Sequence, residues 1–99
     1  MNLFDYSLPP NGEQFTTLLE HKNVKIVRIV TASVPDSNSY CQDEDEWVVV
    51  LEGEAALEIA GEKRVLRKGD TLFIPAKIPH KILHAAKGTV WLAVHIANN

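Results

Sequence analysis

The sequence predicts an all-β fold, an antiparallel sandwich or barrel, from two observations. Short segments rich in β-branched and aromatic residues recur every eight to twelve residues, and turn residues separate them. No segment keeps a helical period of apolar residues over ten or more positions. Since 99 residues can bury one core and are too few for two, we expect a single domain over residues 1–99.

The predicted strands follow one another at short intervals. Residues 15–19 form a first strand, and residues 24–32 form a second whose two faces are both apolar, so that both are covered. Further strands are predicted at 46–51, 55–59, 63–66, 71–74, 80–83 and 90–97. Residues 1–12 are rich in proline and asparagine and predict an extended arm ahead of a barrel over roughly 15–97, and residues 34–38 predict a loop.

Composition and charge exclude several classes of partner and location. The net charge is −3 and no basic cluster is present, so nucleic acid is not an expected partner. The single cysteine excludes an internal disulfide, and the N-terminus lacks the apolar core of a signal peptide. No apolar run is long enough to cross a membrane, so we expect a cytoplasmic protein without membrane contact.

Two spaced motifs carry a resemblance to a known family. Glu46 is followed by six residues and Gly53, while Gly69 is followed by five residues and Pro75, and then by His80. This spacing resembles the two motifs of single-domain cupins, and the resemblance covers roughly residues 24–97. It implies an antiparallel double-stranded β-helix, the jelly-roll cupin barrel, with a pocket inside it.

The chain departs from the family pattern where the metal ligands are expected. The His-x-His pair that precedes the glutamate falls on Tyr40 and Gln42 with the shorter spacing, or on Ser39 and Cys41 with the longer one. Lys77 replaces the glycine after the proline, and His84 replaces the closing asparagine. The resemblance therefore implies the location of a pocket without its usual set of three histidines and one glutamate.

Strand parity predicts which side chains face this pocket. His80 and His84 are four residues apart and would share a face of one strand, as would Tyr40 and Gln42. If the barrel brings these faces together, the polar interior consists of Tyr40, Gln42, Glu46, His80 and His84.

This polar set has two interpretations, which the sequence leaves open. Glu46, His80 and His84 resemble the two-histidine, one-carboxylate site of a divalent metal (Zn, Fe, Ni or Mn), with Gln42 as a neutral fourth ligand. Alternatively, glutamate and histidine pair with each other, and the pocket binds a small polar metabolite without metal. Tyr40 would donate a hydrogen bond in either case.

The last strand can contribute to the pocket or to an association surface. Trp91 and His95 share one face of residues 90–97, and we expect them to line the pocket as ligand-binding residues. In the alternative, they join Trp47 and Leu51 on the outside. Because both faces of residues 46–51 and 90–97 are apolar, we expect a homodimer that covers the outer one.

Three kinds of function are compatible with these residues. The first is a metal-dependent enzyme, such as an oxygenase or isomerase, with Glu46 as ligand or base and Tyr40 as acid or orienting donor. The second is a binding or sensing module without turnover. The third is a metal-free epimerase in which a histidine–carboxylate pair is the general base.

Overall fold

The computed structural model describes residues 1–34 and 39–98, which form nine strands and no helix. The strands are β1 (Glu13–His21), β2 (Val24–Thr31), β3 (Ser39–Tyr40), β4 (Asp45–Glu52), β5 (Glu54–Ile59), β6 (Glu62–Arg67), β7 (Thr71–Ile74), β8 (His80–Ala85) and β9 (Thr89–Ile96). The all-β prediction is confirmed. Residues 35–38 of the predicted loop lie outside the described residues.

Two antiparallel sheets face each other. The larger has the strand order β1-β2-β9-β4-β7, and the smaller has the order β3-β8-β5-β6. Most neighbours in a sheet are distant in sequence, as when β9 lies between β2 and β4, and this interleaving is the jelly-roll arrangement that the resemblance implied. Over the described ranges, no helix is present that is long and apolar enough to span a membrane.

The core lies between the sheets because alternate residues of each strand point inward. Val50 and Trp91 of the larger sheet are buried there against Ala55 and Leu57 of the smaller one. The same alternation on β2 and β9 places the even-numbered residues on the outer face of the larger sheet. The inner face therefore carries both the core and the candidate site.

The N-terminal arm covers part of the outer face. Arg28 of β2 is buried, and its Nη1 donates hydrogen bonds to the carbonyl oxygens of Leu3 (3.1 Å) and Asp5 (3.2 Å). The Tyr6 ring lies against the guanidinium, 5.6 Å from Cζ to the ring centroid. These contacts hold the arm away from the inner face.

A bulge in β8 changes which of its side chains point inward. Leu57 of β5 pairs with Ile82, but the next residue, Ala56, pairs with His84, so the register shifts by one position at Leu83. The expectation that His84 shares a face with His80 is therefore wrong. His84 is exposed on the outer face of the smaller sheet.

Candidate functional site

A cavity of about 110 Å³ opens between the two sheets. Its wall is largely apolar and includes Ile29, Leu57, Ile82 and Trp91. The polar residues of the lining are Glu13, Tyr40, Gln42, Glu46, His80 and His95. An apolar concave wall with a few polar groups is typical of a small-molecule site.

Glu46 lies between two imidazoles at one end of this cavity. It pairs with His95 across the β4–β9 ladder, and its Oε2 is 4.0 Å from His95 Nε2. Its Oε1 is 4.0 Å from His80 Nε2 and accepts a hydrogen bond of 2.8 Å from Gln42 Nε2. Glu46 is only 8% exposed, so the surrounding protein decides which groups can satisfy its charge.

Each imidazole is also held from its other side. His80 Nδ1 is 3.2 Å from the Ile78 carbonyl oxygen, and the Tyr40 ring stacks on His80 with centroids 5.6 Å apart. In the tautomer with Nδ1 donating to Ile78, His80 presents the lone pair of Nε2 to the cavity. His95 Nδ1 lies 3.1 Å from Glu44 Oε1, but without the alignment of a hydrogen bond, so that contact is electrostatic.

Neither imidazole makes a direct hydrogen bond to Glu46, so a ligand group beside each pair can bridge the two atoms. A separation of 4.0 Å exceeds the length of a direct hydrogen bond between nitrogen and oxygen. A hydroxyl or amino group between Glu46 and an imidazole would reach both. The Glu46 carboxylate and the two imidazoles can therefore form hydrogen bonds to a polar group of a ligand in the cavity.

The structure brings together most of the residues predicted from sequence. Tyr40, Gln42, Glu46 and His80 line the cavity, and Trp91 and His95 lie on its wall rather than on the outer surface. His84 is absent from the lining because of the bulge in β8.

Sequence reasoning missed Glu13 and Phe15, which line the cavity from β1. The prediction ended the arm at residue 12 and began that strand at residue 15, so it assigned Glu13 to neither. The signal was present in the alternation of Glu13 and Phe15 with Gln14 and Thr16, which places the first two on one face.

Glu13 belongs to a short hydrogen-bonded chain. Thr31 Oγ1 donates to Glu13 Oε2 at 2.8 Å, and Trp91 Nε1 donates to Thr31 Oγ1 at 3.2 Å. Burial raises the pKa of Glu13 above its ordinary value, and the hydrogen bond from Thr31 lowers this pKa by a smaller amount.

The donor arrangement does not fit a metal ion. Among the residues that the structure describes, no three His, Cys, Asp or Glu side chains form a group that could hold one. The two 4.0 Å separations join the imidazoles to different oxygens of Glu46, and in these positions the three side chains do not converge on one point. Gln42 directs its amide nitrogen, which cannot be a ligand, towards the same carboxylate.

The charge of the lining is negative. It contains two carboxylates, Glu13 and Glu46, and neither lysine nor arginine. Residues 35–38, outside the described ranges, contribute neither of these cations by sequence. Such a cavity favours neutral or positively charged ligands and disfavours phosphate groups.

Comparisons with known proteins show the family and the fold of this chain. The Cupin_2 model, a cupin domain, matches residues 35–95. A crystal structure from Ralstonia eutropha JMP134, provisionally assigned as a mannose-6-phosphate isomerase, is 39% identical, with a TM-score of 0.89 over 99% of this chain and 97% of that one. A cupin superfamily protein of Desulfitobacterium hafniense DCB-2 shares the fold at 23% identity, with a TM-score of 0.81 over 94% and 84% of the two chains.

A shorter match links the chain to an archaeal protein. The uncharacterized protein MJ1618 of Methanocaldococcus jannaschii is 45% identical over 38 residues, which are 38% of this chain and 30% of that protein. Because the cupin model covers more than half of the chain and the Ralstonia protein is similar over nearly its whole length, this chain belongs to the cupin family.

Proposed function

We propose that this cupin binds a small, non-phosphorylated polar metabolite directly through side chains of its cavity. The observation that carries the proposal is Glu46, which has an imidazole 4.0 Å from each of its two oxygens. Together, His80, His95 and Gln42 give this end of the cavity the means to recognise a hydroxyl or amino group.

Size and charge narrow the ligand. A cavity of about 110 Å³ is well below the ~300–1,000 Å³ of pockets for drug-sized molecules, which favours a ligand no larger than one sugar. The provisional assignment of the Ralstonia protein, which names a phosphorylated mannose, supports the sugar part of the proposal and not the absence of a phosphate. The lining has no cation to bind a phosphate, so we propose an unphosphorylated, sugar-like ligand.

The same residues supply the groups for a proton transfer. Glu46 would be the base, and Tyr40, stacked on His80, would orient or protonate the ligand. In this proposal the two residues act on a ligand bound between them, and no cofactor takes part.

A divalent metal is the second candidate ligand. It is favoured by the proximity of Glu46 to His80 and His95 and by the negative charge of the lining. It requires the two imidazole nitrogens to move until three donors converge, and His95 would then take the role expected for His84.

We would test the proposal by titrating the metal-stripped protein with D-mannose and with D-mannose 6-phosphate, following the indole N–H signal of Trp91 by NMR. Mannose should shift this signal and the phosphate should not. Glu46→Gln should weaken mannose binding about tenfold or more, because a hydrogen bond to a charged group is worth about 1.5–3 kcal/mol.

Glu54→Gln is the matched control, since Glu54 is an exposed glutamate outside the cavity. It should leave the affinity unchanged. Tighter binding of the phosphate would contradict the proposal. Elemental analysis of the untagged protein tests the second candidate. If the protein contains stoichiometric metal, and this metal is absent from Glu46→Ala and from His80→Ala, the site is a metal site and the metal-free proposal is wrong.

A further inference from the structure

We propose that Glu13 forms a second binding subsite of the cavity, which takes the protonated amino group of a small ligand, with Thr31 and Trp91 as positioning residues. The inference rests on the proposed function in that the ligand occupies the same cavity. It adds the chemical class of the ligand, a small hydroxylated amine.

The two carboxylates of the lining lie at opposite ends of the cavity. Glu13 pairs with Thr31, and Thr31 pairs with Thr89 at the start of β9, whereas Glu46 pairs with His95 near the end of that strand. The inward-facing rows of Trp91 and Ala93 lie between them. Six residues of a strand span about 20 Å, so one sugar-sized ligand contacts Glu13 or Glu46 and not both, and an amine gains a position at the Glu13 end that mannose lacks.

The hydrogen-bonded chain determines which oxygen of the Glu13 carboxylate is already occupied. The indole N–H of Trp91 can only donate, so Thr31 Oγ1 accepts from it and directs its own proton to Glu13 Oε2. Within the described residues, Thr31 is the one hydrogen-bond donor to this carboxylate. The second oxygen then remains as an acceptor for a donor group of the ligand.

Glu13 is a half-buried carboxylate without a positive charge in the cavity lining. No lysine or arginine lines the cavity, and the other titratable lining groups, Tyr40, Glu46, His80 and His95, surround its far end. Burial raises the pKa of Glu13, as expected for a carboxylate that no cation of the cavity lining stabilises. A ligand ammonium group would supply the missing charge.

The neighbouring aromatic rings suit the same group. Phe15 follows Glu13 on the inward face of β1, lines the cavity and is 61% exposed. Trp91 lies across the sheet from it, beyond Ile29. Aromatic faces attract an ammonium group, whereas a neutral hydroxyl gains little from them.

A purely structural role for Glu13 makes a different prediction. If the residue served only to tie β1 to β2 through Thr31, glutamine would serve equally well, because its amide oxygen accepts the same hydrogen bond without burying a charge. Glutamine cannot pair with an ammonium group. Glu13→Gln therefore separates ligand recognition from strand pairing.

The experiment compares D-mannosamine with D-mannose, which differ by one amino group. A Trp47→Phe background leaves Trp91 as the single tryptophan, whose indole N–H signal reports the cavity. In this background the amine should bind about tenfold tighter than mannose. Glu13→Gln should abolish this preference and change mannose affinity less than about threefold, and Glu54→Gln should alter neither.

A preference for the amine that survives in Glu13→Gln would overturn the inference, as would equal binding of the two sugars to the Trp47→Phe protein; both leave the proposed function intact. Binding of neither sugar would overturn the proposed function, and the inference with it.

A ligand-free measurement checks the positioning chain by itself. The Trp91 indole signal should move with pH as Glu13 titrates, with a pKa above the ordinary value of a glutamate, and this step should be absent in Glu13→Gln. Because the pKa is raised in the fold, the stability that Glu13 contributes is present at low pH and lost as pH rises through that pKa. Glu13→Gln should thus raise Tm at pH 7 and not at pH 4, whereas a lower Tm at pH 7 would contradict an uncompensated charge.

Discussion

Gly53, the glycine that ends the first cupin motif, occupies a position where the structure requires glycine. It lies between β4 and β5 with a φ of 84°, and a Cβ atom built on it would be 2.5 Å from Thr89 Oγ1. Thr89 is fully buried and donates to the carbonyl oxygens of Glu54 and Ala86, at 3.1 and 2.6 Å, so it cannot move aside. The position requires glycine both for its backbone conformation and for space.

Gly53→Ala should therefore destabilise the protein more than Gly61→Ala. Gly61 has a similar φ of 82°, but its added Cβ meets no atom within 4 Å, so its substitution carries the backbone strain alone, about 1–2 kcal/mol. The clash at Gly53 should add about 1–3 kcal/mol. Chemical denaturation of both variants measures the difference, and equal losses would show that the contact with Thr89 is relieved cheaply.

The bulge in β8 determines which histidines of this strand face the cavity. His80 and Ile82 precede the register shift and face the cavity, whereas His84 follows it and faces outward. The positions of turns and strands can be recognised locally, but a bulge also depends on how the partner strand β5 pairs. One inserted residue thus removed a predicted ligand from the site.

Substitution of the two histidines should give opposite results. His80→Ala should weaken mannose binding about tenfold and lower the free energy of unfolding by about 1–2 kcal/mol, because it removes the Tyr40 stacking contact and the Nε2 acceptor that faces the cavity. His84→Ala should change neither by more than about 0.5 kcal/mol. NMR titration and denaturation measure both, and a large loss of affinity in His84→Ala would place that residue back in the site.

The outer face of the larger sheet carries an apolar row across all five strands. In register, the row consists of Leu19, Ile26, Val94, Trp47 and Phe73. Trp47 is 38% exposed and Phe73 is 53% exposed, while the N-terminal arm is held at Arg28 on the same face. A continuous exposed apolar surface of this kind is typical of an association site.

We expect a homodimer that buries this row against its copy. Light scattering at micromolar concentration should give twice the mass of the chain, and Phe73→Glu should give the monomer, because it places a charge in an apolar interface. Val65→Glu is the control, since Val65 is an exposed apolar residue of the smaller sheet. If the unsubstituted protein is a monomer, the prediction of a homodimer is wrong. The cytoplasmic location expected from the sequence is a separate prediction that the structure does not test.

The sequence by itself determined the strand positions, the cupin family and the central pair Glu46 and His80. These features depend on local patterns: alternation with a period of two, turn residues, and fixed spacing along the chain. The strand bounds differed mainly at their ends, as at β1, which begins at Glu13 rather than Phe15, and the two-residue strand β3 was not predicted.

Only the tertiary structure decided which further groups join that pair. Both faces of β9 are apolar, so sequence could not choose between them, and the sheet packing placed Trp91 and His95 inside. The bulge excluded His84, and the pairing of β1 with β2 brought in Glu13. The physical reason is that convergence of side chains from separate strands depends on register and on the packing of two sheets, which no local pattern encodes.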